Sequence, residues 1–270
     1  MMSEDNVANR FDRQKFLGGN AQEQITAFTV GVVGLGGGGS HLIQQLAHVG
    51  FQHYVLYDFD TVSFTNLNRL VGATVEDAEK KEKKVKVAER LIKGLQPNAI
   101  IRSHQSRWQD EPEDLKTCQL IFGALDTYLG RKELEECSRR YLMTLVDIGM
   151  DVHTGQDGIP IIGGQAIISA PGGLCMRCMG FLTDEKLAQE QALYGGIGSR
   201  PQVVWSNGVL ASTAISMAMN LISGWTGAAE QSLYLIYDGN RMTVKPNRAV
   251  YSIQEPCSHF PPEAVGPVIL

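Results

Sequence analysis

The sequence predicts an α/β fold, a doubly wound, mostly parallel sheet with an antiparallel extension towards the C-terminal end. Three observations carry this expectation. An apolar run, Phe28–Val33, turns through Gly34-Leu-Gly36-Gly37-Gly38-Gly39 into a helical stretch, and a second apolar run ends in Asp58-Phe59-Asp60. Strand-length and helix-length segments then alternate as far as about residue 147, the rhythm of βαβ crossovers. Beyond Asp151 that rhythm gives way to short apolar runs separated by glycines.

Taken in order, strands are expected at 28–33 and 53–58 with a helix at 39–49 between them. Lys81 to Leu95 reads as a helix, with Val85, Val87, Ala88, Leu91, Ile92 and Leu95 on its apolar positions and a stop before Pro97. Strands at about 99–103 and 119–124, a helix at about 129–140 and a strand at about 142–147 complete the parallel part. Ile159–Ile162 and Gln165–Ser169 read as two strands separated by Gly163-Gly164, in a hairpin-like arrangement. Glycine-rich stretches at 171–173 and 195–198 mark loops. The tail carries strands at about 233–237 and 241–245 joined by Asp238-Gly-Asn240, a hairpin signal. Residues 203–223 are largely apolar but are interrupted by Ser206, Asn207, Ser212, Thr213 and Ser216, which favours a buried helix at a core or subunit interface over a membrane span.

A length of 270 residues suits one large domain, or a domain with an appendage. A net charge of −5 and ordinary apolar content predict a soluble protein that binds neither nucleic acid nor membrane. Met1–Asn6 lack the basic and apolar segments of a secretion signal, and the five cysteines then read as reduced thiols or metal ligands in the cytoplasm.

The chemistry begins at the glycine turn. Backbone N–H groups of Gly34, Gly36, Gly37 and Gly39, followed by a helix N-terminus, form a cradle for phosphate. The acids Asp58 and Asp60 close the second strand, where a carboxylate can take ribose hydroxyls. That much is shared by dehydrogenases, and a nicotinamide oxidoreductase is a fair first expectation. The next residues change it. Asn66 and Arg69 follow in Thr61-Val-Ser-Phe-Thr-Asn66-Leu67-Asn68-Arg69, and Lys84 lies in the first turns of the next helix. Together they put an amide, a planar guanidinium and an ammonium beside the phosphates. Asp126, after the apolar Leu120–Leu125, lies where a strand end meets the pocket and suits Mg²⁺ against a triphosphate. Arg10 and Arg13 are candidates for a further phosphate clamp. Singly, Arg69 and Lys84 fit solvated surface charges, Asp126 fits a helix N-cap, and Gly38 fits a plain turn residue; their ordered coincidence favours function.

These segments, with Asp126 followed by Arg131 and with Cys175-x-x-Cys178, resemble the MoeB/ThiF and ubiquitin-activating-enzyme superfamily of adenylyltransferases, in family order over roughly residues 8 to 260. The resemblance implies one Rossmann-like adenylation domain spanning 1–270. Its 8–150 half would bind nucleotide, and its 151–270 half would bind the carrier protein, form the dimer and hold any zinc site. It implies ATP and Mg²⁺ as cofactors, Asp58 on the ATP ribose, Arg69 and Lys84 on phosphates, and Asp126 on magnesium. It implies a homodimer in which Arg13 reaches the partner's active site. The substrate would be a ubiquitin-like or sulfur-carrier protein ending in glycine, whose carboxylate attacks the α-phosphate and releases pyrophosphate.

Cys175-x-x-Cys178 has the spacing of half a tetrahedral zinc site. Family members close such a site with a second Cys-x-x-Cys, whereas this chain offers Cys257 and His259 in Pro256-Cys257-Ser258-His259, giving a Cys₃His set. A degenerate, metal-free site and a catalytic Cys175 or Cys178 are the alternatives. Cys118 and Cys137 read as buried structural thiols. The stretch 180–200 contains no cysteine, so adenylation is expected without an obvious nucleophile for thioester transfer, and handover to a conjugating enzyme follows. Pro201-Gln-Val-Val-Trp205-Ser-Asn207-Gly208-Val-Leu-Ala211-Ser212 resembles stand-alone bacterial members and is expected to form a dimer or core helix. Activation of a ubiquitin-like protein is favoured, with sulfur-carrier activation for thiamine or molybdopterin synthesis next. An oxidoreductase and an inactive scaffold subunit remain as readings from other classes.

Overall fold

The computed structural model describes residues 10–155, 157–192, 201–228, 232–261 and 264–266. Eight strands form a single sheet in the order β3-β2-β1-β4-β5-β6-β7-β8. The first five, β1 (Thr29–Val33), β2 (His53–Tyr57), β3 (Ile100–His104), β4 (Leu120–Gly123) and β5 (Thr144–Thr154), pair in parallel. The last three, β6 (Pro160–Ser169), β7 (Tyr234–Asp238) and β8 (Thr243–Pro246), join antiparallel. The doubly wound sheet with its antiparallel extension is therefore as the sequence indicates.

Alternation along each strand supplies two cores. Val30, Val32, Tyr54, Leu56 and Phe122 meet α2 (Gly37–Val49), α4 (Lys84–Leu95) and α7 (Val204–Ser223) on one face. Val33, Val55, Tyr57, Ile121 and Leu145 meet Leu134 of α5 (Tyr128–Arg140), together with Met176 and Phe181, on the other. Strands covered on both faces need near-continuous apolar runs, and that is what made β1, β2 and β4 legible. Each fully buried aliphatic side chain contributes about 1.5–3 kcal/mol. Three shorter helices complete the inventory of described α-helices: α1 (Ala21–Ala27), α3 (Val75–Lys80) and α6 (Asp184–Ala192).

Several expectations are corrected. Gly163 and Gly164 do not separate two strands; β6 runs straight through them, because a side chain at Gly164 would strike Leu210 of α7 at 2.6 Å. The hairpin turn lies earlier, between Thr154 and Pro160, and β5 extends well past residue 147, so residue 151 falls inside a strand. The helix expected from Lys81 is broken at Lys81, whose φ of 50° ends α3 before α4 begins at Lys84. The tail hairpin forms as β7 and β8. The glycine-rich stretch at 195–198 lies outside the described residues.

Candidate active site

Neighbours of β1 diverge in chain order, β2 on one side and β4 on the other, which opens a crevice at the carboxyl ends of the strands. A cavity of about 580 Å³ occupies it, lined by the glycine turn, Asp58, Asp60, Asn66, Arg69, Lys84 and Asp126. Six of the sequence-predicted positions beyond the turn thus converge with Gly34, Gly36 and Gly37. Gly34 has φ +89°, and a Cβ there would lie 2.5 Å from the Ala124 carbonyl, so only glycine lets the turn lie against the end of β4. Gly38 also lines the cavity, whereas Gly39, the third residue of α2, is buried against the Gly34 carbonyl.

Asp58 is the hinge of the site. Its Oδ2 accepts the Leu35 N–H at 2.6 Å and its Oδ1 accepts the Asp60 N–H at 2.8 Å, which ties the glycine turn to the end of β2. Two of roughly four acceptor positions on the carboxylate are thereby used, leaving capacity for ribose hydroxyls. Burial pushes its carboxyl up, opposed chiefly by Lys84. Lys84 is itself buried, 2.7 Å from Asp60 Oδ2 and 3.8 Å from Asp58 Oδ1. A cation at the first position of α4 faces the wrong end of the helix dipole; the two acids balance it, and the cavity explains why it is there.

Asn66 Oδ1 accepts the Ser63 N–H at 3.0 Å and caps the 3₁₀ turn Phe64–Asn66, so its acyl oxygen serves the loop. Arg69 Nη1 donates to the Thr65 carbonyl at 2.6 Å and to Asn68 Oδ1 at 3.0 Å, fixing one edge of the guanidinium. Asp126 is exposed and accepts Gln202 Nε2–H at 3.2 Å on Oδ1. It is not an N-cap: that post belongs to Thr127, whose Oγ1 accepts the Gly130 N–H at 3.1 Å. Arg13 is exposed on the 3₁₀ turn Asp12–Leu17 and does not line the cavity of its own chain. Arg10 is no phosphate clamp, since its guanidinium donates to the Leu95 carbonyl at the end of α4.

Other groups at the site were not legible in the sequence. Arg131, matched there without a role, is buried and donates to Asp147 Oδ2, to the Ile148 carbonyl at 2.9 Å and to the Leu125 carbonyl, clamping the ends of β4 and β5 together. Asp147 is fully buried, and desolvation pushes its carboxyl up to about 6 against the pull of Arg131. Glu190 of α6 accepts the N–H groups of Tyr128 and Leu129, both at 2.9 Å, and so caps α5 beside Asp126. Arg107 stands over the Phe59 ring, 5.6 Å from its centroid, on the cavity's far wall. Asn207 and Gln202 enter from the segment read as a dimer or core helix; the one available signal was an asparagine among the apolar residues of α7.

At the other end of α5 the cysteines gather. Cys175 Sγ lies 3.5 Å from Cys178 Sγ and 3.6 Å from His259 Nδ1, and Cys178 Sγ lies 3.3 Å from that nitrogen. With Cys257, all four ligand atoms fall within 4.8 Å of one another. A zinc tetrahedron with bonds of about 2.0–2.3 Å has edges of roughly 3.3–3.8 Å; the three separations among Cys175, Cys178 and His259 match them, and Cys257 stands close enough to supply a fourth ligand. A buried web supports it. Glu135 Oε1 accepts Ser169 Oγ–H at 2.5 Å and the Met176 N–H at 2.8 Å, while Arg139 donates to the Gly173 and Leu174 carbonyls at 3.1 and 2.7 Å. Cys118 is buried and its thiol is pushed up to about 12 by desolvation; Cys137, only half-buried, is pushed up to about 11. Neither thiol is reactive at neutral pH.

A glycine turn, a buried acid at the end of β2, two basic side chains and an exposed carboxylate meet at the switch point of a doubly wound sheet, and the family match marks the chain as an ATP-dependent adenylyltransferase. The chain belongs to the ThiF family, whose pattern matches residues 10–258. A ubiquitin-like modifier-activating enzyme 5 of Oryza sativa subsp. japonica is 33% identical over 88 residues, which cover 30% of this chain and 19% of that protein. The sulfur carrier protein adenylyltransferase of Thermus thermophilus is 26% identical over 253 residues, 88% of each chain. Among solved structures, E. coli MccB with ATP superposes with a TM-score of 0.70 at 18% identity, covering 88% of this chain and 71% of that one, a likeness of fold. No described helix is long and apolar enough to cross a membrane.

Proposed function

We propose that this chain uses ATP to adenylate the C-terminal glycine carboxylate of a ubiquitin-like protein, releasing pyrophosphate, and hands the acyl-adenylate to a conjugating enzyme. The observation that carries the reading is the convergence of Arg69, Lys84 and Asp126 on the cavity that holds the glycine turn and Asp58. Two anions meet in this reaction, so the catalyst must neutralise charge and align the attack. Arg69 and Lys84 would hold phosphates and Asp58, with Asp60 beside it, the ribose. Asp126 would hold Mg²⁺, which when bound draws charge from the triphosphate. The protein's own work is to fix these groups in place.

The carrier is proposed to dock on the open face of β5–β7. Gln165 and Asp151 line the cavity, and Gln165 pairs with Ile236 across the strands. Ile161 shares that face with Gln165 by the two-residue repeat, and Ile161 and Ile236 are both exposed. Arg13, exposed and away from its own cavity, suits the partner's site in a homodimer. Cys175, Cys178, Cys257 and His259 would hold zinc as a structural ion tying the C-terminal tail to the 171–178 loop. The absence of cysteine from 180–200 supports release of the adenylate to a second, cytoplasmic protein.

ATP–pyrophosphate exchange with candidate carriers ending in Gly-Gly tests the reading; a folded chain that exchanges with none of them favours an inactive scaffold. A sulfur carrier is the second reading, favoured by the match to the Thermus enzyme over 88% of each chain. A thiocarboxylate on the carrier, rather than a thioester on a conjugating enzyme, would select it.

A further inference from the structure

We propose that Gln202 and Asn207 are positioning residues of the adenylation site, Gln202 for the cation-holding carboxylate of Asp126 and Asn207 for the phosphate turn at Gly37. The inference rests on the adenylation reading and adds to it two residues that come from the far half of the chain.

Gln202 spans a gap between two strand ends. Its Nε2–H donates to Asp126 Oδ1 at 3.2 Å, and its Oε1 lies 3.2 Å from where a Cβ on Gly37 would stand. One carboxamide therefore touches both the turn that follows β1 and the carboxylate that follows β4. Asn207, 4% exposed, completes this roof: its Nδ2 lies 2.4 Å from the same Cβ position and donates to the Val203 carbonyl at 3.1 Å, and its Oδ1 lies 3.5 Å from the Cβ position of Gly38. A side chain at Gly37 would have to displace both amides. A buried asparagine carries a desolvation cost in a helix that could hold leucine there, and its place against the turn accounts for it.

The choice of an amide has a chemical reason. A carboxylate that is to hold a divalent cation must be oriented without being neutralised. A neutral N–H donor orients one carboxylate oxygen without itself taking the charge that attracts a metal. Partners of this kind, behind a ligating group, typically change metal affinity by about 10- to 100-fold when removed.

The test is calorimetric titration of the full chain with ATP, first in EDTA and then in saturating Mg²⁺, with circular dichroism melts as a check on folding. Gln202→Leu is expected to bind metal-free ATP as the parent does and to lose about tenfold or more of the tightening that Mg²⁺ gives. Tightening equal to the parent's, or an equal loss with and without metal, would overturn the assignment of Gln202. Asn207→Ala is expected to weaken ATP by the same factor in both buffers, because it acts on the turn and not on the metal-holding carboxylate, with the melt unchanged. ATP binding equal to the parent's would overturn the assignment of Asn207. A parent chain that binds ATP in neither buffer removes the adenylation reading itself, and this inference with it.

Discussion

The parallel and antiparallel parts of the sheet solve different problems. β1, β2 and β4 are four or five residues long and buried almost throughout, enclosed by helices on both faces. β5 and β6 are 11 and 10 residues long, buried where they abut the parallel part and increasingly exposed towards their shared turn. Enclosure gives the first region fixed strand ends on which charged groups can be set to within a fraction of an ångström. Openness gives the second a surface on which another protein can rest. The cavity lies at the join, and side chains from both regions reach it.

Experiments can break or sharpen that contrast. The largest effect is expected in the enclosed region. Asp126→Ala should keep the fold and lower ATP–pyrophosphate exchange by about 10²–10³, the scale of a single transition-state contact; near-normal exchange in a folded variant would sink its role. On the open face, Ile236→Glu should raise the KM for carrier about tenfold with little change in ATP affinity, as for a central interface contact. Equal loss of ATP binding would show the two regions are not separable in this way. Chelation of the Cys/His cluster, or Cys178→Ser, should lower Tm by about 5–10 °C, from a few kcal/mol of lost metal binding. Metal analysis finding no zinc in freshly purified protein would remove the premise.

The smallest effect is a pH dependence. Asp147 titrates near 6 in the fold against an ordinary value of 3.8. The folded chain then holds the proton more tightly, so the contribution of this group to stability is present in full below about pH 4 and is lost as pH rises through 6. The Tm of Asp147→Asn should accordingly vary less between pH 4 and 6 than that of the parent; identical slopes would rule the linkage out.

How much of this the sequence revealed follows the same divide. The turn at Gly34, the acid Asp58 and the helix ending before Pro97 are local patterns of period and punctuation, and they were readable. Gly163-Gly164 misled, because glycine marks both a turn and a close approach, and only the position of Leu210 decides between them. The roles of Gln202, Asn207 and Glu190 depend on contacts with residues 60 or more positions away, for which one sequence has no local signature. The Cys/His set was readable in composition, while its closure depended on where the tail folds back.

Helix α5 carries a consequence of its own. Its first turn is bound by Glu190 next to Asp126, and its last by Arg139 and Glu135 to the loop that bears Cys175 and Cys178. Thirteen residues make a rod of about 20 Å, pinned at both ends and too stiff to compress. A shift of the cysteine loop would therefore be carried along the helix to the Asp126 end, so that the fold of the C-terminal tail and the shape of the nucleotide cavity share one strut.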